Sequence, residues 1–274
     1  MDHRVRPLPP LAAWALIGLL GLALMGCSSS APPKDQIPDE PPEALYNQGT
    51  AALQAGNISD ATKFFEEVEK QHPYSIVAAQ AQIMDAYAYY RGNRYTDAIA
   101  AIDHFLDLHP GSKDAAYAYY LKALCYYEQI EDVRRDQKMT EQALDALNEV
   151  VNRFPGTPYA RDAALKIDLS RDHLAGKEME IGRWYEKQQQ YLASINRFRT
   201  VVEKYQSTTH VPEALERLTE CYLALGVTDE AQTAAAVLGY NYPGSTWYQA
   251  SYDLLKAKNL KPEKKSDSWL NSVF

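Results

Sequence analysis

The chain has 274 residues, 46% of them hydrophobic and 23% charged, enough apolar material for one large domain or two ordinary ones and too much for a disordered or fibrous protein. Lys and Arg total 28 against 36 Asp and Glu, a net charge of −8, and an acidic surface argues against nucleic acid as the main partner. Three cysteines, none in a CxxC or Cys/His pattern, exclude a disulfide scaffold and a structural zinc site.

The first ten residues carry Arg4 and Arg6 and are followed by an uncharged run from Leu11 to Leu24, the layout of a signal peptide. Fourteen residues at ~1.5 Å each reach only about 21 Å, short of a hydrocarbon core of ~30 Å, so the run predicts a cleaved signal over residues 1–26 and not a membrane span. Leu24-Met25-Gly26-Cys27 resembles the bacterial lipobox, in which a small residue precedes a cysteine that is lipidated and becomes the mature N-terminus. Cys27 is therefore the expected lipidation site. Residues 27–42 hold that cysteine and the Ser/Pro-rich stretch SSSAPPKDQIPDEPP, which cannot build a core and reads as a tether. Lipoproteins of this kind stay in the inner membrane when Asp follows the cysteine. Ser28 stands there instead, which points to the outer membrane, facing the periplasm.

Beyond the tether, seven prolines punctuate long proline-free runs that can be helices. A phrase recurs around them: His72-Pro73-Tyr74-Ser75, His109-Pro110-Gly111-Ser112, Phe154-Pro155-Gly156-Thr157, Tyr205-Gln206-Ser207-Thr208 and Tyr242-Pro243-Gly244-Ser245. The spacings of 37, 45, 51 and 37 residues lie near the 34-residue tetratricopeptide period, with insertions in the middle. Leu45, Gly49, Ala61 and Phe65 fall where that repeat wants a large apolar residue, a small one, an Ala and a Phe, and Gly182, Tyr185, Ser194 and Phe198 repeat the series. Small residues let paired helices approach, and the aromatic fills the gap. Breaks at Gly56-Asn57, Gly92-Asn93, Gln188-Gln189-Gln190 and Gly226 divide the units into hairpins, and the third unit's extra residues read as the polar loop 128–137. The sequence thus predicts an all-α tetratricopeptide superhelix of five helix-turn-helix units. Units one to three occupy 43–157, and units four and five with a capping helix occupy 158–257. One helix from Pro158 toward Gln190, approaching ~45 Å, joins the two halves. Residues 258–274, rich in lysine and serine, are expected to fray.

Nothing in this pattern reads as catalysis. HExxH, GxSxG, P-loop and GxGxxG motifs are absent, and Glu178 and Glu180, two apart on a helix, point to different faces. No catalytic residue, metal or cofactor is expected. Cys125 and Cys221 read as buried, unpaired small residues. The twenty tyrosines are the oddest compositional fact, crowding the first helices of units two and three. Tyr89 is the repeat's packing aromatic. Tyr87, Tyr90, Tyr117 and Tyr120 are candidates to line a groove that binds an extended peptide, with hydroxyls free to bond its backbone.

The chain resembles the BamD (ComL) family, tetratricopeptide lipoproteins of the outer-membrane β-barrel assembly machinery. The resemblance is carried by LMGC, by DAYAYYRGNRYTDAIAAIDHFLDLHPGS, by the RDQ closing the third unit's loop, and by FPGTPYARDAALKIDLSRDHLAGKEMEIGRWY followed by INRFRTVVEKYQSTTHVPEAL. It implies a non-enzymatic scaffold anchored by lipid to the outer membrane. Such a scaffold docks through its C-terminal repeats on the periplasmic domains of BamA, the barrel-forming subunit, beside other Bam lipoproteins. The N-terminal repeats would receive the aromatic-ended C-terminal strand signal of unfolded outer-membrane proteins. Carried over by residue, the BamA-contacting stretch falls on Trp184, Tyr191, Asn196 and Arg197. The alternatives are another tetratricopeptide lipoprotein, for pilus secretin assembly or envelope constriction, and an enzyme or activator acting on peptidoglycan.

Overall fold

The computed structural model describes residues 37–274. Cys27, the expected signal and most of the tether lie outside the described residues. Residues 41–274 form one unit, built of α1 (Pro42–Gln54), α2 (Ile58–Gln71), α3 (Ile76–Arg91), α4 (Tyr95–Leu108), α5 (Ala115–Tyr127) and α6 (Lys138–Arg153). The chain continues through α7 (Pro158–Lys187), α8 (Tyr191–Lys204), α9 (Val211–Ala224), α10 (Thr228–Asn241), α11 (Thr246–Ala257) and a 3₁₀ turn, Trp269–Ser272. No strand occurs among the described residues. Consecutive helices pack on one another as five hairpins and a cap.

Each recurring phrase performs the same local task. Its first residue, whether His72, His109, Phe154, Tyr205 or Tyr242, caps the C-terminus of the preceding helix by donating its backbone N–H one turn back. In three phrases the last residue caps the next helix: Ser75, Thr157 and Ser245 accept from the backbone N–H of Val77, Ala160 and Trp247. Within hairpins the chain reverses through a left-handed residue, Gly56 (φ 78°), Asn93 (φ 57°), Gln189 (φ 59°) or Gly226 (φ 76°). Gln189 bears its side chain in that conformation, which fits the fourth unit's lack of a glycine.

Inside the hairpins, aromatic rings occupy the space that glycine leaves. A Cβ added at Gly49 would lie 2.7 Å from the Phe65 ring, and Gly182 meets Phe198 even more closely. Phe65, Phe105 and Phe198 are among the largest fully buried side chains. Cys125 and Cys221 are buried and unpaired, and burial pushes both thiols up to about 12.

Helix α7 has 30 residues, about 45 Å at ~1.5 Å per residue, and packs against α6 in one half and α8 in the other. The 128–137 loop folds back onto its middle. Lys177 Nζ donates to the carbonyls of Arg134 and Arg135 at 3.0 and 3.2 Å, and Gln137 Nε2 donates to the carbonyls of Asp132, Val133 and Arg135. A Cβ at Gly176 would meet Val133 Cγ1 at 3.5 Å and His210 Nε2 at 3.3 Å. This glycine is where the loop and the α8–α9 turn approach the joining helix.

The expectation of a fraying segment over 258–274 is corrected by its packing. Leu270 is fully buried, and Leu260, Trp269, Val273 and Phe274 pack on the C-terminal core. Gln232 Nε2 donates to the Lys261 carbonyl at 2.8 Å, the Glu263 N–H to the Gln232 carbonyl at 3.2 Å, and Ser268 Oγ to Glu230 Oε2 at 2.6 Å. Lysine and serine dominate the composition, but the apolar residues spaced among them carry the burial.

Candidate functional site

The first helices of successive units share one face. An open groove of about 280 Å³ is lined by Tyr46 from α1, Gln80, Ile83 and Met84 from α3, Lys113 and Asp114, Tyr117 from α5 and Tyr159 from α7. Of the four tyrosines the sequence singles out, Tyr117 lines this groove, its ring 5.6 Å from Tyr159, and burial pushes its phenol up to about 12. Tyr120 also packs on Tyr159, at 5.4 Å, and donates its hydroxyl to Asp162. Tyr87 and Tyr90 stack at 6.3 Å, the Tyr90 hydroxyl donates to Glu128 at 3.3 Å, and the Tyr87 hydroxyl accepts from Arg91 at 3.2 Å.

The rings therefore form a band across units two to four, but three of the four hydroxyls are already engaged within the chain. The expectation of hydroxyls free for a peptide backbone is corrected for Tyr90 and Tyr120, which give their protons to Glu128 and Asp162, while the Tyr87 hydroxyl accepts from Arg91 and keeps its own proton to donate. What the band offers is aromatic surface, with Lys113 and Asp114 lining the same groove. Tyr46, Met84, Lys113 and Tyr159 were missed from sequence.

The four residues singled out in the C-terminal half separate into different environments. Trp184, near the end of α7, is 56% exposed and edge-on to Tyr185 at 5.1 Å. Tyr191, the first residue of α8, packs on the C-terminal core. Asn196 is exposed, and the Arg197 guanidinium sits 3.1 Å from Glu178 of α7. Glu180 pairs instead with Arg183 at 2.7 Å, so the two carboxylates do diverge.

Residues 38–238 match the YfiO family, described as an outer membrane lipoprotein. The chain is 51% identical to a Caulobacter vibrioides protein named outer membrane protein assembly factor BamD, over 89% of this chain and 80% of that one. The chain belongs to the YfiO family. A Rickettsia prowazekii protein of the same name is 45% identical over 87% of this chain and 94% of its own length. Among solved structures, a tetratricopeptide protein from Thermus thermophilus aligns over 78% of this chain and 98% of its own at a TM-score of 0.38 and 20% identity, too loose to bear on the argument. Like the family, the chain is a non-enzymatic scaffold built on a tetratricopeptide fold. The span matched to the family takes in the groove and the Arg197 surface, while α11 and the packed C-terminal segment lie beyond it.

Each half also buries an acid. Asp85 on α3 is 8% exposed, its Oδ1 has no hydrogen bond, and burial followed by the charges of Glu66 and Glu69 pushes its carboxyl up to about 8. Glu216 on α9 is 5% exposed, and burial raises it to about 7 against the opposing pull of Arg217. Arg217 is shared among Glu186, Glu213, Glu216 and Glu220 at 3.1 to 3.6 Å, which ties α7 to α9. Neither acid opens on the groove, and both read as interior elements of the scaffold.

Proposed function

We propose that the chain is an outer-membrane protein assembly factor, anchored by lipid on Cys27 and facing the periplasm. Its C-terminal repeats bind the periplasmic domains of BamA, and its N-terminal groove receives the C-terminal strand signal of unfolded barrel proteins, with other Bam lipoproteins as neighbours. The observation that carries this reading is the near full-length likeness to relatives named BamD, whose matched span includes both surfaces.

The chemistry supports the division of labour. An aromatic band with Lys113 and Asp114 at its edge suits an extended peptide that ends in an aromatic residue. Trp184 and Arg197, exposed or half-exposed on the other half, belong to the residue types that anchor protein interfaces. Crosslinking a photoreactive barrel-protein C-terminus to the purified protein tests the polarity. Adducts are expected around Tyr117 and Tyr159 and are lost in Tyr117→Ala, and adducts confined to α8–α11 would reverse it. Intact mass of membrane-extracted protein tests Cys27, and an unmodified cysteine there would end the anchor reading.

A further inference from the structure

Two side chains at the edge of the first units are exposed beyond anything packing requires. Tyr74 is 100% and Ile76 85% exposed, on either side of Ser75 in the turn between α2 and α3. The turn is braced by its own bonds. The Ser75 N–H donates to the His72 carbonyl at 3.0 Å, and Ser75 Oγ accepts from the Val77 N–H at 3.2 Å. An aromatic and a branched aliphatic group are thus held outward by a fixed backbone.

Topology places this turn where the tether joins the repeats. Helices α1 and α2 have 13 and 14 residues, pack together and are joined by a short reversal through Gly56. Antiparallel helices of equal length end level, so Pro42 at the start of α1 and Gln71 at the end of α2 share one edge, and α3 starts from that edge at Ile76. Neighbouring helices lie ~8–10 Å apart, which keeps Pro42 and Tyr74 within roughly 20 Å. Thirteen residues, 28–40, separate Cys27 from Pro41. Fully extended, they reach no more than about 50 Å at ~3.6 Å per residue.

We infer that Tyr74 and Ile76 seat this edge on the lipid surface to which Cys27 is attached. The inference rests on the anchor reading above and goes beyond it by giving the protein a membrane-facing edge. A tyrosine ring with its polar tip suits the headgroup boundary, and isoleucine suits the acyl side of it. Two side chains do not hold a protein to a bilayer, but a lipid attached a few tens of ångströms away raises their local concentration there, as any linked second contact does. The lipid provides attachment and the turn provides orientation.

The test uses the full lipidated chain in vesicles of phosphatidylethanolamine and phosphatidylglycerol. A nitroxide is placed in turn at Tyr74→Cys, Ile76→Cys and, as control, Tyr240→Cys, which is 87% exposed on α10. Cys125 and Cys221 are buried and leave the introduced thiol as the labelling site. On reconstitution, the ratio of oxygen to nickel-chelate accessibility is expected to rise several-fold at 74 and 76 and stay level at 240. Protein that floats with the vesicles while both turn labels remain water-accessible overturns this inference alone. Protein that fails to float overturns the anchor reading and this inference with it. Protection at 74 and 76 that needs an added partner protein and no vesicles assigns the edge to that partner and overturns it as well.

Discussion

Arg197 on α8 reaches back to Glu178 near the middle of α7, with Nη1 3.1 Å from Oε2 and 3.4 Å from Oε1. The Arg197 side chain is 42% exposed and Glu178 19% exposed, so the pair is half in solvent and is worth under ~1 kcal/mol to the fold. Its consequence is positional. Only Nη1 engages Glu178, and the remaining donors of the guanidinium fork stay available to an outside carboxylate.

Arg197→Ala is therefore expected to unfold within ~1 kcal/mol of the parent yet to lose about 2 to 5 kcal/mol of affinity for the BamA periplasmic domains, mainly through faster dissociation. Arg197→Glu should bind more weakly still. Surface-immobilised BamA domains and a denaturant titration read the two quantities separately. Parental affinity in both variants would move the contact elsewhere on the C-terminal repeats.

The fit of Phe198 against Gly182 makes a second expectation. A Cβ at position 182 collides with a ring that is itself fully buried, so Gly182→Ala should destabilise by ~1–3 kcal/mol despite alanine's better helix propensity. Phe198→Leu alone opens space and also destabilises. Combined, the two changes should cost less than their sum, because each relieves the other's misfit. Urea unfolding of the four proteins measures this coupling, and strict additivity would show that the ring and the glycine do not share one space.

Helix positions, hairpin breaks and the joining helix were legible because they rest on local chemistry: prolines, capping hydroxyls, small-to-aromatic spacing. The groove was only half legible. Tyr117 could be placed on a first helix from the repeat, but Tyr46 and Tyr159 come from other units and reach it through superhelical stacking that no local spacing encodes. Hydroxyl partners were invisible for the same reason, since Asp162 is 42 residues from Tyr120 and Glu128 is 38 from Tyr90. The packed C-terminal segment was misread because composition averages over Trp269 and Leu270, which decide its fate.

The two buried acids set the pH dependence of stability. Asp85 is raised to about 8 and Glu216 to about 7, so between pH ~4 and those values the folded state holds protons that the unfolded state has released. Their contribution is complete below pH ~4 and is lost as pH rises through about 7 for Glu216 and about 8 for Asp85, with a slope of about 1.4 kcal/mol per pH unit for each group. Asp85 faces Glu66 and Glu69 from α2, Arg94 just before α4 and Asp97 within it, a net acidic surround that reinforces burial. The protein should therefore be more stable at pH 5.5 than at pH 8, and Asp85→Asn should flatten the profile. Denaturant midpoints across that range check it, and a profile rising toward pH 8 would contradict the sign.

The C-terminal segment supplies the last expectation. Trp269 lies beneath the Arg199 guanidinium at 4.2 Å and donates its indole N–H to the Tyr222 hydroxyl at 3.0 Å, while Leu270 beside it is wholly enclosed. Tyr222 occupies the fifth unit's packing-aromatic position, and Glu230, Gln232 and Thr233 of α10 all bond to the segment. The segment thus lies across α8, α9 and α10 and ties the last hairpin to the one before it. Leu270→Ala should cost about 2 to 5 kcal/mol, the range for emptying a buried leucine site. Because contacts in a repeat array are made with neighbours, the damage should stay local. Hydrogen exchange should show protection falling in α9, α10 and α11 with α1 to α4 unchanged, both for Leu270→Ala and for removal of residues 258–274. Unaltered exchange in α10 after that removal would mean that the segment rests on the repeats without stabilising them.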